Sequence, residues 1–119
     1  MSIATLVCTI AQAYGALTAY PGIVESQRYA ESTITITEDD IVIDGPFDKR
    51  YSYDAHNLVI KREQGAGLTI ITAESPSGSA DYLLEVFIIT DSGRLIWTSS
   101  GSSGDVSMAA GAVYSGRCE

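Results

Sequence analysis

The chain predicts a single, mainly β domain: a small antiparallel barrel or sandwich of about eight strands, with at most one short helix near the N-terminus. Three observations carry that expectation. Polar and aliphatic residues alternate at period two through TITIT (33–37) and DIVID (40–44). A nearly continuous apolar run, DYLLEVFIIT (81–90), is joined by a Gly-containing loop to a second strand-like run, RLIWTSS. Two cysteines, Cys8 and Cys118, stand near opposite ends of the chain, where a β domain brings its terminal strands together.

Taken in order, LVCTI opens the domain as a first strand. The stretch 12–32 is less regular; Pro21-Gly22 signals a turn, and a short helix after it would set Ile23, Val24 and Tyr29 against the sheet. TITIT and DIVID then form a hairpin around a short acidic turn, with charge deterring sheet-to-sheet aggregation. RYSYD (50–54) and NLVIKRE (57–63) read as a second pair around Ala55-His56, and GLTIITAE (67–74) as a further strand. DYLLEVFIIT carries large side chains on both faces, the mark of a central strand buried on both sides or of one that crosses the core. Asp91-Ser92-Gly93 makes the tight hairpin that follows, with glycine available for a left-handed position. SPSGSA (75–80) and SSGSSG (99–104) read as loops of small polar residues. AVYSGRCE (112–119) closes the domain as a last strand, with DVSMA (105–109) pairing onto it across Ala110-Gly111. There are no internal repeats and no heptads.

With 119 residues the chain has the length of one domain, and its composition is that of a globular protein. A net charge of −8 excludes a phosphate-binding surface for nucleic acid, because the seven basic residues are scattered. The acidic surface serves solubility or meets a basic partner. Residues 1–27 hold no Lys or Arg, and Thr5, Thr9, Gln12 and Tyr14 interrupt their apolar character. That stretch lacks the basic start of a secretory signal and is too short and polar to span a bilayer. It reads as part of the folded domain, of either an exported protein or a cytosolic one, and no membrane insertion is expected.

A Cys8–Cys118 disulfide would join the first and last strands and enclose nearly the whole chain. For a loop of ~100 residues the chain-entropy model gives about 4–5 kcal/mol, and such a bond belongs to an oxidising compartment. The alternative is two buried free thiols acting as small hydrophobes. Two Cys and one His have no recognised metal-ligand spacing, so no metal or cofactor is expected. The combination of LVCTI, TDSGRLIW and YSGRCE resembles small exported bacterial β domains. Those families are commonly uncharacterised periplasmic proteins and sometimes inhibitors of host enzymes such as lysozyme. The resemblance covers the two ends and one hairpin, and it implies a periplasmic or extracellular location.

Ser52, Asp54 and His56 alternate along one stretch and invite comparison with a hydrolytic triad. On a strand, residues two apart stand roughly 6.5–7 Å apart, so the acid would lie between Ser and His rather than behind the His. A surface turn is the better reading. Glu38, Asp39, Asp40 and Asp44 suggest a hard-cation site, but carboxylates at a hairpin tip splay outward instead of converging. With Tyr51 and Tyr53, placed on one strand face, these acids form the candidate interaction surface, since tyrosine is enriched at binding sites. Trp97 alternates with Leu95 and is expected to anchor the core. The functional expectation is a non-catalytic protein–protein interaction module, exported by a bacterium or encoded by its virus. One version is an inhibitor offering the acidic, Tyr-containing surface to a basic partner. The alternatives are a self-assembling virion or appendage subunit, hence a homo-oligomer, and a small-ligand-binding β-barrel.

Overall fold

The computed structural model describes residues 5–17, 20–25, 32–45, 51–76, 78, 82–102 and 109–119. Their strands are β1 (Leu6–Leu17), β2 (Tyr20–Glu25), β3 (Thr33–Ile36), β4 (Ile41–Asp44), β5 (Tyr51–Ser52), β6 (Val59–Gly65), β7 (Leu68–Glu74), β8 (Tyr82–Thr90), β9 (Arg94–Ser102) and β10 (Ala109–Cys118). All pairings are antiparallel, in the order β5-β4-β3-β1-β10-β9-β8-β7-β6, and β2 pairs with the second half of β1. Natural strand twist curls this sheet until its two wings face each other. Ile34, Ile36, Ile41 and Ile43 of one wing share a single apolar cluster with Ile71, Phe87, Ile89, Leu95 and Trp97 of the other. The result is an incompletely closed antiparallel barrel, in keeping with the β class that the alternation predicts.

The terminal strands lie side by side. Cys8 and Cys118 are direct cross-strand partners and are joined by a disulfide. Both cysteines are buried. The end of β10 is held from two sides: the Cys118 amide donates to the Gly93 carbonyl at 2.7 Å, while Val7 and Glu119 exchange backbone bonds of 3.1 and 2.9 Å. Gly93 has φ +88°, and a Cβ there would stand 2.6 Å from the Cys118 carbonyl oxygen. At Gly116 a Cβ would run into the Thr9 carbonyl. β1 departs from regular register beside that point, between Ile10 and Gln12.

Several local readings change. The irregular N-terminal stretch is strand where it is described: residues 12–17 continue β1, and Tyr20–Glu25 pairs with β1 as a strand where a helix was expected; Tyr29 lies outside the described residues. RYSYD and NLVIKRE do not pair with each other. β5 pairs with β4 and β6 with β7, because the chain between them folds into a 3-10 turn, Asp54–His56, that leaves through Asn57 at φ 61°. Ser99–Ser102, read as connector, continue β9, and Ala110-Gly111 lie within β10 rather than at a turn. Long neighbouring strands offer ladder bonds that override the weak strand preference of Ser and Gly. Residues 103–108, which include most of DVSMA, fall outside the described residues.

Asp91-Ser92-Gly93 is the expected tight turn, with the Gly93 amide donating to the Thr90 carbonyl. Between β6 and β7, Ala66 and Gly67 both have positive φ, 54° and 79°. That two-residue loop has the backbone twist that suits a hairpin.

Candidate functional site

Two surfaces of the sheet differ sharply in what they offer. On the inner face, cross-strand register aligns Phe87, Trp97 and Tyr114 on β8, β9 and β10. Their rings stack, with centroids 5.3 Å apart for Phe87–Trp97 and 4.1 Å for Trp97–Tyr114, and Tyr53 joins from the opposite wing at 6.1 Å from Phe87. Trp97 is thus the buried anchor that its alternation with Leu95 predicts. Aromatic and isoleucine side chains occupy the interior among the described residues.

Within this apolar interior sits one acid. Glu85 is 5% exposed, and its carboxylate accepts a hydrogen bond from the Trp97 indole N–H. Its cross-strand neighbours are Ala73 and Ser99, and the Ser99 hydroxyl also bonds to the carboxyl. The Tyr53 hydroxyl acts on the same carboxyl, in a contact that falls short of full hydrogen-bond geometry. Burial, which penalises the charged form, pushes the Glu85 pKa up to about 7 against these three donors. The signal was present in the sequence, since Glu85 shares the period-two positions of Phe87 and Ile89 inside DYLLEVFIIT. An acid at a core position is the local inconsistency that marks a special site.

The acidic residues do not act as one group. Asp40 is structural: its carboxylate accepts from the Ile41 amide at 2.8 Å, the Ser52 hydroxyl at 2.6 Å and the Asp54 amide at 2.9 Å. It thereby fastens the β3–β4 turn to the 3-10 link. Glu38, Asp39 and Asp44 are exposed. Tyr53, expected beside Tyr51 on an outer surface, is only 1% exposed and belongs to the core. Its backbone is helical, φ −67° and ψ −36°, so strand alternation stops at Ser52 and the ring swings inward. Tyr51 lies on β5, with Asp44 at the end of neighbouring β4.

Ser52, Asp54 and His56 form the turn that was expected of them. The His56 Nδ1–H donates to the Ser52 carbonyl at 2.8 Å, whereas the Ser52 hydroxyl is given to Asp40. Nearby, Arg62 on β6 donates to the Thr37 carbonyl and bridges the gap between the two ends of the sheet. Burial draws its pKa down, and Glu38 opposes that. Among the described residues, no group of three or more His, Cys, Asp or Glu is placed to hold a metal ion. None of their helices is long and apolar enough to cross a membrane, which says nothing of strands.

The outer face was not singled out by sequence. Its rows follow from register: Glu63–Ile70–Ile88–Ile96–Ser115, and beside it Lys61–Thr72–Val86–Thr98–Val113. Ile96 is 49% exposed and Val113 48%, while Ile70, Val86 and Ile88 are half-buried. Val7, on β1, is 44% exposed. DYLLEVFIIT is therefore not buried on both sides: its inner face is buried, and its outer face is only half-covered because no second layer of the described residues packs on it.

Protein-family models, curated proteins and solved structures contain no match to this chain. The likeness to exported bacterial β domains accordingly rests on the residues quoted for it.

Proposed function

We propose that this chain is a non-catalytic protein-binding domain of an oxidising compartment, with the outer face of β7–β10 as its contact surface. The observation that carries this reading is the pair of adjoining rows holding Ile70, Ile88, Ile96, Val86 and Val113 on four consecutive strands. Monomeric proteins seldom leave contiguous apolar area in water without a use for it. The cluster of aromatic and isoleucine side chains on the inner face supports binding on the outside over uptake of a small ligand, and the disulfide supports export. Glu38 and Asp39 at the β3–β4 tip, with Asp44, supply the acidic component for a basic partner, now without Tyr53 and Asp40.

A double variant, Ile96→Asp with Val113→Asp, tests the surface. Both side chains point outward, so the fold and disulfide are retained. Proteins captured from the native host by the wild-type chain are expected to be lost by the variant. An unchanged set of captured proteins rejects this face. A second reading, self-assembly, is favoured by β6, whose second edge has no strand partner among the described residues. Light scattering on the purified wild type separates the two, because a self-assembling subunit gains mass with concentration.

A further inference from the structure

The two outer rows of the sheet match each other position by position. They start on β6 with opposite charges. Glu63 heads the row that continues through Ile70, Ile88 and Ile96, and Lys61 heads the row of Thr72, Val86 and Thr98. Both charged residues are exposed. Strand alternation sets them on the outer side of β6, because Ile60 packs against the core and Arg62 turns to the Thr37 carbonyl. The apolar patch is therefore bordered, on one strand, by one cation and one anion.

We infer that this face binds a second copy of the chain, sheet on sheet, about a twofold axis running between the two rows, in a dimer that rests on the reading of the face as a contact surface. A twofold interface brings each surface position onto its symmetry mate. With the axis between the rows, each row of one copy lies on the other row of the second. Ile88 then meets Val86, Ile70 meets Thr72 and Ile96 meets Thr98, each contact made twice. At the β6 border Lys61 meets Glu63, also twice. The outer face of a curled sheet is convex, so the gap widens toward β6, and these two side chains are long enough to span it.

Other placements fail on charge. An axis along either row sets Glu63 against Glu63 or Lys61 against Lys61, and like charges face to face are costly. An axis parallel to the strands, along β8, puts Lys61 on Val113 and Glu63 on Ser115, with no countercharge for either. Edge-to-edge pairing of β6 with β6, centred on Arg62, also matches Lys61 with Glu63. It sets Arg62 directly opposite Arg62, a like-charge cross-strand pair that destabilises a sheet. The acidic β3–β4 tip belongs to other strands, so the dimer leaves it open to a basic partner.

Sedimentation equilibrium of the purified chain, from about 1 μM to about 1 mM, tests the dimer. The wild type is expected to rise from the mass of one chain to that of two and no further. Lys61→Glu and Glu63→Lys should each weaken association about tenfold or more. An equimolar mixture of these two variants should restore it, because every charge in the mixed pair then meets its opposite. Ile96→Asp, at a position 49% exposed, should abolish the dimer with the fold kept, as circular dichroism would check. Should it not fold, Thr98→Arg, which faces Ile96 of the second copy, takes its place. A wild type that stays at one chain's mass, or grows past two, overturns the dimer, and so does a mixture that associates no better than its components. A dimer that survives the Ile96 or Thr98 substitution has formed through the β6 edge and overturns it as well. Each of these failures leaves the wider reading of the face standing, since that reading falls only when the Ile96→Asp, Val113→Asp variant captures the same host proteins as the wild type.

Discussion

Glu85 places a titratable group where Phe87 and Ile89 place hydrophobes, and its energetics have a definite sign. Its folded-state pKa of about 7 lies above the ordinary 4.5, so the folded chain holds this proton more tightly than the unfolded chain. At pH values below 4.5 both states are protonated and the group is neutral toward stability. As pH rises from there to about 7, the unfolded chain ionises freely while the folded one keeps its proton, so stability falls, and it levels off once both are ionised. The full shift corresponds to on the order of 3 kcal/mol. Glu85→Gln should therefore be more stable than the wild type in mild base and comparable to it in mild acid, as urea denaturation at the two pH values would measure. A constant difference between the two proteins would remove the assigned burial cost. The reading of DYLLEVFIIT as one apolar run passed over this residue, although it stands at a period-two core position. Nor did that reading show that Trp97, twelve residues away in the chain, is the donor that makes the exception tolerable.

Strand β10 shows how one element's position rests on two small residues. It runs between the β8–β9 turn and β1, meeting the first at Gly93 and the second at Gly116. A methyl group at Gly116 would meet the Thr9 backbone, which cannot move as a flexible side chain could. Gly93 also requires its positive φ. Gly116→Ala is expected to cost about 3 kcal/mol or more, the upper part of the range for overpacking. Gly65→Ala, where an added Cβ meets nothing within 4 Å, should stay within about 1 kcal/mol of the wild type. Thermal or chemical denaturation of the two variants checks the contrast, and equal losses would contradict the close approach at Gly116. The TITIT–DIVID hairpin and the Asp91-Ser92-Gly93 turn were legible because both halves lie close in sequence and the turn residues adjoin them. The partners of RYSYD and NLVIKRE were not, because each strand found a better ladder on its other side.

At the scale of the whole molecule, the Cys8–Cys118 bond closes a loop with a sequence separation of 110 across adjacent terminal strands. Backbone register already sets the two residues opposite each other, so the bond restrains the unfolded chain more than it reshapes the folded one. Replacing both cysteines by alanine should cost about 4–5 kcal/mol on the chain-entropy estimate. Denaturation of the variant in the absence of reductant measures this. A loss under about 1 kcal/mol would mean that β1–β10 pairing alone holds the termini. The same closure explains why an export reading and a fold reading share one observation, since a bond that staples the sheet needs an oxidising environment to form.

Alternation of side chains determined the β class, most strand positions and the inward side of Leu95 and Trp97, because period two is a local property of the backbone. The cysteines at the two extremities suggested that the first and last strands meet, beside the alternative of two free thiols, and the register of β1 on β10 decided it. Tertiary structure decided the rest: that Tyr53 turns inward, that Asp40 serves as a fastener instead of a surface charge, and that the outer rows of β7–β10 stay partly in solvent. Those outcomes depend on which strands become neighbours and on how far the sheet curls before its wings touch. Both are set by contacts between residues far apart in the chain, to which a local period is blind.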